Sequence, residues 1–450
     1  MASTSEGVDS SISPGLLEDL KRLLWGRSLT DEVFLRWTQG FVLSADEPTA
    51  LLQYEGGPCA VIVPVQAFLL RFALFTEENE AVEKWREHSD ETAKDLLCQS
   101  LSAILLQTTA TSYTVVYSDH SFTEMQEQDG PQESGGEEDV QRSPKRRKLC
   151  HDQFHLNLRC QQCDSREQLV NLVQSNLEKF QGDFGVLYYL YSLLLTKGVD
   201  QIKNEMEDPS EPLIDSTHGH GSQSLINLLL TGKAVSHVFD NEKDVAGMKL
   251  HGVSRQSQIG FLTQLEHLRY CEVGFNLKSP SLPVWVLGSE THLTVLFTQD
   301  LSLVAPESPE DTARRIFKSF DPEGNGFISS CLLGDVLHSL SLVSDQGYVD
   351  IMKGKLDSEG LGIIVLSAFM EEFYPGNSQQ QGPKTFTVFH YNGLKRSNST
   401  HKVQYKKGTA TILEHGIPLV TEYTDVTTCL QTKWPTISIE WSGNDVPSLN

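Results

Sequence analysis

The longest apolar run in the chain, FGVLYYLYSLLL at 184–195, is twelve residues long. Crossing a bilayer takes roughly 18 to 20 such residues, so no membrane span is expected and the run belongs in a protein core. Material for that core is plentiful: hydrophobic residues make up 39% of the chain, with 20 Phe, 12 Tyr and 6 Trp,. Its 450 residues are about three times the commonest domain size. One large domain with insertions, or two to three modules, is therefore expected, and a small disulfide-rich fold is excluded.

Thirty-six Lys and Arg against 60 Asp and Glu leave a net charge of −24. Such a field repels phosphate backbones, so nucleic acid is not an expected partner. The same field either speeds encounter with basic proteins or simply keeps the chain soluble. The opening MASTSEGVDSS has acidic residues and no apolar core, which fits neither a secretory signal nor a mitochondrial presequence and points to the cytosol or nucleus. Eight scattered cysteines (Cys59, Cys98, Cys150, Cys160, Cys163, Cys271, Cys331 and Cys429) read there as reduced thiols rather than a disulfide framework.

Helical spacing marks 15–26, 90–107, 166–180, 184–197 and 222–230, and an apolar helix over 61–75 is interrupted early by Pro64,. Strand patterns appear at 113–118, then at 284–288 and 292–298 across a short turn, and finally at FTVFHY, KVQY, TATIL and TISIEW,. Between these, 124–142 is acidic, with three glycines and a proline and almost nothing to bury, which predicts a disordered linker. It runs into Pro144-Lys145-Arg146-Arg147-Lys148, read either as a nuclear import signal or as a solvated charge run. The expected class is α+β, the late strands completing one sheet. The expected divisions are 1–123, a linker at 124–150, 151–308, a helical block at 309–373, and 374–450.

The segment Gln53-Tyr54-Glu55-Gly56-Gly57-Pro58-Cys59 precedes the apolar helix directly. Paired glycines allow a close backbone approach and proline suits a first helical turn. Cys59 then stands at or near a helix N-terminus, where unpaired N–H groups and the macrodipole favour a thiolate. A small core cysteine is the competing reading. Gln53, six residues upstream, could aim its amide at an oxyanion, or be an ordinary loop glutamine. His292, entering a strand after a turn, has the placement of a base serving a helix-borne thiol, which is a papain-like arrangement. For a third group orienting the imidazole, Glu290, Thr294 and Asp300 are candidates by sequence proximity alone.

The blocks QYEGGPCAVIVPVQAFLL, EPLIDSTHGHGSQSLINLLLTG, LKSPSLPVWVLGSETHLTVLF, FTVFHYNGLKRSN and CLQTKWP, in this order, resemble the MINDY family of deubiquitinating cysteine proteases. The resemblance spans nearly the whole chain apart from the first dozen residues and the 124–148 linker. It implies a papain-like isopeptidase with Cys59 as nucleophile, His292 as general base and Gln53 as oxyanion donor. It also implies hydrolysis of ubiquitin chains with a preference for lysine-48 linkages, with ubiquitin chains and ubiquitinated proteins as partners. No metal, cofactor, nucleic acid or membrane is implied, and a monomer in nucleus and cytoplasm is expected. A slot with acidic walls would suit ubiquitin's narrow C-terminal tail. The rival reading is a non-catalytic, EF-hand-type interaction protein whose hydrolase domain binds ubiquitin without cutting it.

Three weaker patterns remain. Asp321-Pro322-Glu323-Gly324-Asn325-Gly326-Phe327-Ile328 matches the first eight positions of an EF-hand loop, but position twelve is Leu332 where a bidentate glutamate belongs,. Asp357-Ser358-Glu359-Gly360-Leu361-Gly362-Ile363-Ile364 repeats the pattern with Leu361 and Ala368 at ligand positions. Residues 309–373 are thus expected to form a degenerate EF-hand-like pair kept for packing or partner contact, not a calcium sensor. Cys160-x-x-Cys163 with His151 and His155 nearby lacks a second pair at zinc spacing,. His218-Gly219-His220-Gly221 is expected to form a structured loop near a substrate channel rather than a metal site.

Overall fold

The computed structural model describes residues 10–75, 84–119, 151–245, 247–306, 308–321, 325–375, 384–413, 424–443 and 446–450. The expected linker at 124–150, with its basic cluster, lies outside them. The chain divides into two compact units, one formed by Met1–Val304 with Thr385–Asn450, the other by Ala305–Lys384.

In the larger unit, β1 (Ser10–Ser11), β2 (Tyr113–Tyr117) and β3 (Arg159–Cys163) form a small antiparallel sheet with β3 in the middle. A hairpin of β4 (Glu242–Val245) and β5 (Met248–His251) stands almost wholly exposed. The main sheet takes in β6 (Gly260–Thr263), β7 (Val284–Gly288) and β8 (Leu293–Phe297). Its strands from later in the chain are β11 (Lys384–Tyr391), β12 (Lys406–Ile412) and β13 (Ile437–Trp441). The order across it is β13-β12-β11-β8-β7-β6, antiparallel at β8/β7, β11/β8 and β12/β13 and parallel at β7/β6.

Strand alternation separates two apolar faces. Val284, Val286, Val295 and Phe297 join the large core that contains the helix Cys59–Leu74. Trp285, Leu287 and Leu296 join a smaller core with Val426, Cys429 and Leu430 of the helix Asp425–Gln431. The Cys59–Leu74 helix packs on β7 and β8 and buries every residue except Arg71 and Phe72, which is why its sequence is apolar all round. Pro64 sits inside it without ending it. The run at 184–195 forms the helix Gly185–Lys197, also buried along most of its length. Among the described residues no helix is long and apolar enough to cross a membrane.

The expectation at KVQY is overturned. Residues 402–405 are irregular, because their backbone bonds go to side chains instead of a ladder: Ser44 Oγ donates to Val403 O and Tyr405 N donates to Glu47 Oε2. The pattern at 166–180 also splits, at Asn176, into the helices Arg166–Ser175 and Leu177–Gln181.

The smaller unit holds the helices Pro309–Ser319, Leu333–Ser339, Gln346–Leu356 and Leu366–Phe373 around its own core of Phe317, Ile328, Leu337, Ile364 and Phe369. Two short strands, β9 (Phe327–Ser329) and β10 (Ile363–Val365), pair antiparallel with Ile328 opposite Ile364. Asp321 accepts backbone hydrogen bonds from Asn325 and Gly326, and Asp357 accepts them from Leu361 and Gly362. Gly326 and Gly362 both have positive φ, 79° and 77°.

Candidate active site

The helix Cys59–Leu74 opens at Cys59, with Pro58 as its cap. The turn before it needs glycine at 57: φ is +115°, and a Cβ there would stand 2.6 Å from Gly219 O,. Gly221 is equally constrained, since its Cβ would meet Ala60 Cβ at 2.3 Å. The 218–221 loop thus wedges against the turn that presents Cys59. Trp37 Nε1 donates to Gly219 O at 3.0 Å and Arg36 to His218 O at 2.9 Å, while Gly219 N donates to Asp215 O at 2.8 Å. His218 pairs with Asp215 on the surface, which further ties the loop down.

Gln53 is held from the opposite side. Its N–H donates to Gly393 O at 2.9 Å and it bridges to Leu394, which fixes it beside the chain leaving β11. Its Nε2 donates to Glu55 O at 2.6 Å, while its buried Oε1 has no hydrogen-bond partner among the described residues. The amide also reaches the Cys59 sulfur, so one side chain touches both the turn and the thiol.

Cys59 is 5% exposed and its Sγ donates to Gly57 O at 3.6 Å. Burial raises its pKa, against the pull of hydrogen-bonding groups at Leu293, Gly57 and Ala60 and of the Gln53 amide,. The start of β8 delivers a backbone group of Leu293 to the sulfur, and His292 is the residue just before it in the chain. His292 is also 5% exposed. Burial pushes its pKa down to about 4, opposed by a hydrogen bond to Asn392 and reinforced by Arg396. At neutral pH both groups rest uncharged.

The orienting group is Asn392. His292 Nε2 stands 3.1 Å from Asn392 Oδ1, and the same oxygen accepts Leu394 N–H at 3.0 Å. An amide oxygen has no hydrogen to give, so Nε2 carries the ring proton and Nδ1 keeps the lone pair. None of the sequence candidates serves this purpose. Glu290 is exposed in the turn, the Thr294 hydroxyl bonds His390 Nε2 at 3.0 Å, and Asp300 caps its own turn through Ser302 N at 3.0 Å. Proximity in sequence misled because the partner arrives from another strand. The register that sets Tyr391 opposite Val295 carries Asn392 to His292 across a hundred residues of chain.

A cavity of about 540 Å³ opens beside the imidazole. Its lining includes Glu32, Arg36, Glu55, His220, His292 and Arg396. Two carboxylates and two guanidiniums line it, and Glu32 is paired with Arg36 at 2.6 Å, so the charge of this cavity is mixed. Cys59 is not among the lining residues; the cavity reaches His292 but stops short of the sulfur.

Elsewhere, Cys160 and Cys163 lie three apart on β3, on opposite faces of the strand, and Cys160 contacts Ser10. His155 is committed to Tyr191 OH at 2.6 Å. Among the described residues no group of three His, Cys, Asp or Glu could hold a metal ion.

Residues 21–316 match the family model described as deubiquitinating enzyme MINDY-3/4, conserved domain. The chain is 48% identical over 439 residues to the ubiquitin carboxyl-terminal hydrolase MINDY-3 of Xenopus tropicalis, covering 96% of this chain and 99% of that one. With the Homo sapiens protein of the same name it shares 48% over 446 residues, 97% of this chain and 99% of that protein. With the MINDY-3 homolog of Drosophila melanogaster it shares 43% over 468 residues, 96% of this chain and 83% of the fly protein. No solved structure matches the chain.

Proposed function

The chain belongs to the MINDY-3/4 family of deubiquitinating enzymes, and from that premise we propose that it is a thiol-dependent ubiquitin C-terminal hydrolase acting on lysine-48-linked chains. The observation that carries this reading is the set converging at the start of the Cys59–Leu74 helix: Cys59 beneath Leu293, His292 oriented by Asn392, and Gln53 reaching the sulfur.

In the proposed reaction His292 Nδ1 takes the thiol proton as Cys59 Sγ attacks the carbonyl of ubiquitin's C-terminal glycine. The new oxyanion accepts from Gln53 Nε2. Nδ1 then returns the proton to the leaving lysine amine, and the thioester is hydrolysed by a water that gives its proton to the same nitrogen. Asn392 holds Nε2–H throughout, so the imidazolium formed in between stays hydrogen-bonded. One N–H of the Gln53 amide is held by Glu55 O, which leaves the other for the oxyanion. A helix-borne thiol with a strand-borne imidazole and an asparagine supports a papain-like catalytic arrangement.

The unit at 305–384 is proposed as a degenerate EF-hand-like pair retained for packing or partner contact. The Ile328/Ile364 pairing and the carboxylate of each first loop position bonded to backbone N–H groups support that reading. Nuclear as well as cytoplasmic residence is proposed from the basic residues Lys145, Arg146, Arg147 and Lys148; deleting the four and finding an unchanged nuclear fraction would overturn it.

The deciding experiment incubates wild type and Cys59→Ala with lysine-48-linked tetraubiquitin, alongside an electrophilic probe built on the ubiquitin C-terminus. Chain loss and a probe adduct in wild type alone are expected. A protein that binds chains, leaves them intact and takes no probe would favour the non-catalytic ubiquitin-binding reading.

A further inference from the structure

Residues 446–450 form a strap beside the site. Pro447 and Leu449 point inward while Val446 and Asn450 face out. Leu449 is fully buried among Leu262, Leu287 and Leu430 in the smaller core. That anchor sets two polar contacts. Ser448 O accepts from Asn392 Nδ2 at 3.1 Å, and Asn450 Oδ1 accepts from Ser289 Oγ at 2.6 Å. Ser289 Oγ in turn accepts His292 N–H at 3.1 Å. The strap therefore touches the imidazole's support twice, once through the group facing the ring and once through the turn that carries the residue. Asn450 also lines the cavity beside His292.

Ser448 O is an acceptor with no hydrogen of its own, so the Asn392 atom facing it has to be the NH₂. Leu394 N–H requires the oxygen on the opposite side. Together they leave one orientation of the amide, with Oδ1 toward His292 Nε2. Without Ser448 O, the amide nitrogen loses that acceptor and the flip is opposed by Leu394 N–H alone. A flipped amide would offer N–H to Nε2 and favour the other tautomer, with the lone pair on the wrong nitrogen.

We propose that the Leu449-anchored strap is a positioning element for His292, fixing the Nε2–H tautomer by holding the Asn392 amide in one orientation through Ser448 O. The proposal rests on the reading of His292 as the base, and its test separates the two. Selective ¹⁵N-histidine NMR on the full chain, with His292→Gln used to assign the signal, reads the tautomer without any substrate. Wild type should show a protonated Nε2 and an unprotonated Nδ1, and Leu449→Asp should mix the tautomers. With a fluorogenic ubiquitin C-terminal amide, Leu449→Asp should lower kcat about 10-fold with KM changed less than about twofold. Combined with Asn392→Ala, it should lower kcat no further than Asn392→Ala does alone. Leu449→Ala carries the same test with no buried charge if the aspartate variant melts early. A folded variant that keeps the wild-type tautomer, or an effect additive with Asn392→Ala, overturns the proposal. If wild type turns over no substrate, the deubiquitinase reading fails, and the NMR comparison still decides whether the strap sets the tautomer.

Discussion

At the residue scale, the site depends on small atoms as much as on reactive ones. Gly57 combines a left-handed φ of +115° with a backbone oxygen where its Cβ would be. Gly57→Ala is expected to displace the turn from the 218–221 loop, and a lowered melting temperature together with slowed labelling of Cys59 by the ubiquitin probe would show it. A variant that melts and labels like wild type would contradict the close approach. Removing the proposed oxyanion donor by Gln53→Ala should cost roughly 10²- to 10³-fold in kcat, measured on the fluorogenic substrate. Loss confined to KM would mean that the amide merely shapes the turn. Cys59 was legible in the sequence because everything that marks it is local: two glycines, a proline and the start of an apolar helix. Asn392 was not, because one asparagine in a strand-ending segment carries no local sign that it will meet a histidine a hundred positions away.

At the element scale, the segment carrying Leu51 and Gln53 is tied to the end of β11 by a buried side-chain bond besides the backbone bond from Gln53 to Gly393. Tyr391 OH donates to Leu51 O at 2.6 Å, and Tyr391 is fully buried. Tyr391→Phe should leave that carbonyl unpaired at a cost of about 1 to 3 kcal/mol, read by chemical denaturation. The bond connects the segment holding Gln53 to the strand leading into Asn392, so kcat should fall as well; unchanged stability would show that the bond carries no net weight. In the smaller unit, Leu332 stands where a bidentate glutamate would complete the first loop,. Micromolar calcium is expected to leave the melting temperature unmoved, and a rise at that concentration would restore a sensor reading. The helices Pro14–Trp25, Cys59–Leu74, Asp90–Leu106, Gly185–Lys197 and Gln223–Thr231 and three of the four late strand patterns followed from periodicity, because the spacing of apolar residues reports burial directly. The KVQY segment failed because its apolar Val403 and Tyr405 are buried by irregular chain whose bonds go to Ser44 and Glu47, and a hydrophobic pattern does not say what satisfies the backbone.

At the scale of the whole molecule, three buried histidines make the fold acid-sensitive. Burial lowers His155 and His292 to about 4 and His390 to about 3, against a usual 6.5. Each folded pKa lies below its unfolded value, so the unfolded chain binds the proton first. The stability tied to each is complete above pH 6.5 and is lost as pH falls toward the folded value. For a shift from 6.5 to 4 the total is roughly 3 kcal/mol. Melting temperature should therefore drop already between pH 6.5 and 5, before most carboxylates titrate, with protons taken up on unfolding. A flat profile in that window would mean that the imidazoles are solvated.

The sequence by itself determined the α+β class, the buried helix opening at Cys59, the hairpin carrying His292 and the family to which the chain belongs, since each is written in contiguous residues whose spacing and chemistry act over short range. Tertiary structure alone decided the partner of the imidazole, the mixed charge of the cavity and the return of residues 446–450 to the site. Those depend on which strands pair and in what register. Register is set by the summed burial of two faces across hundreds of residues, and no short window of sequence holds that sum.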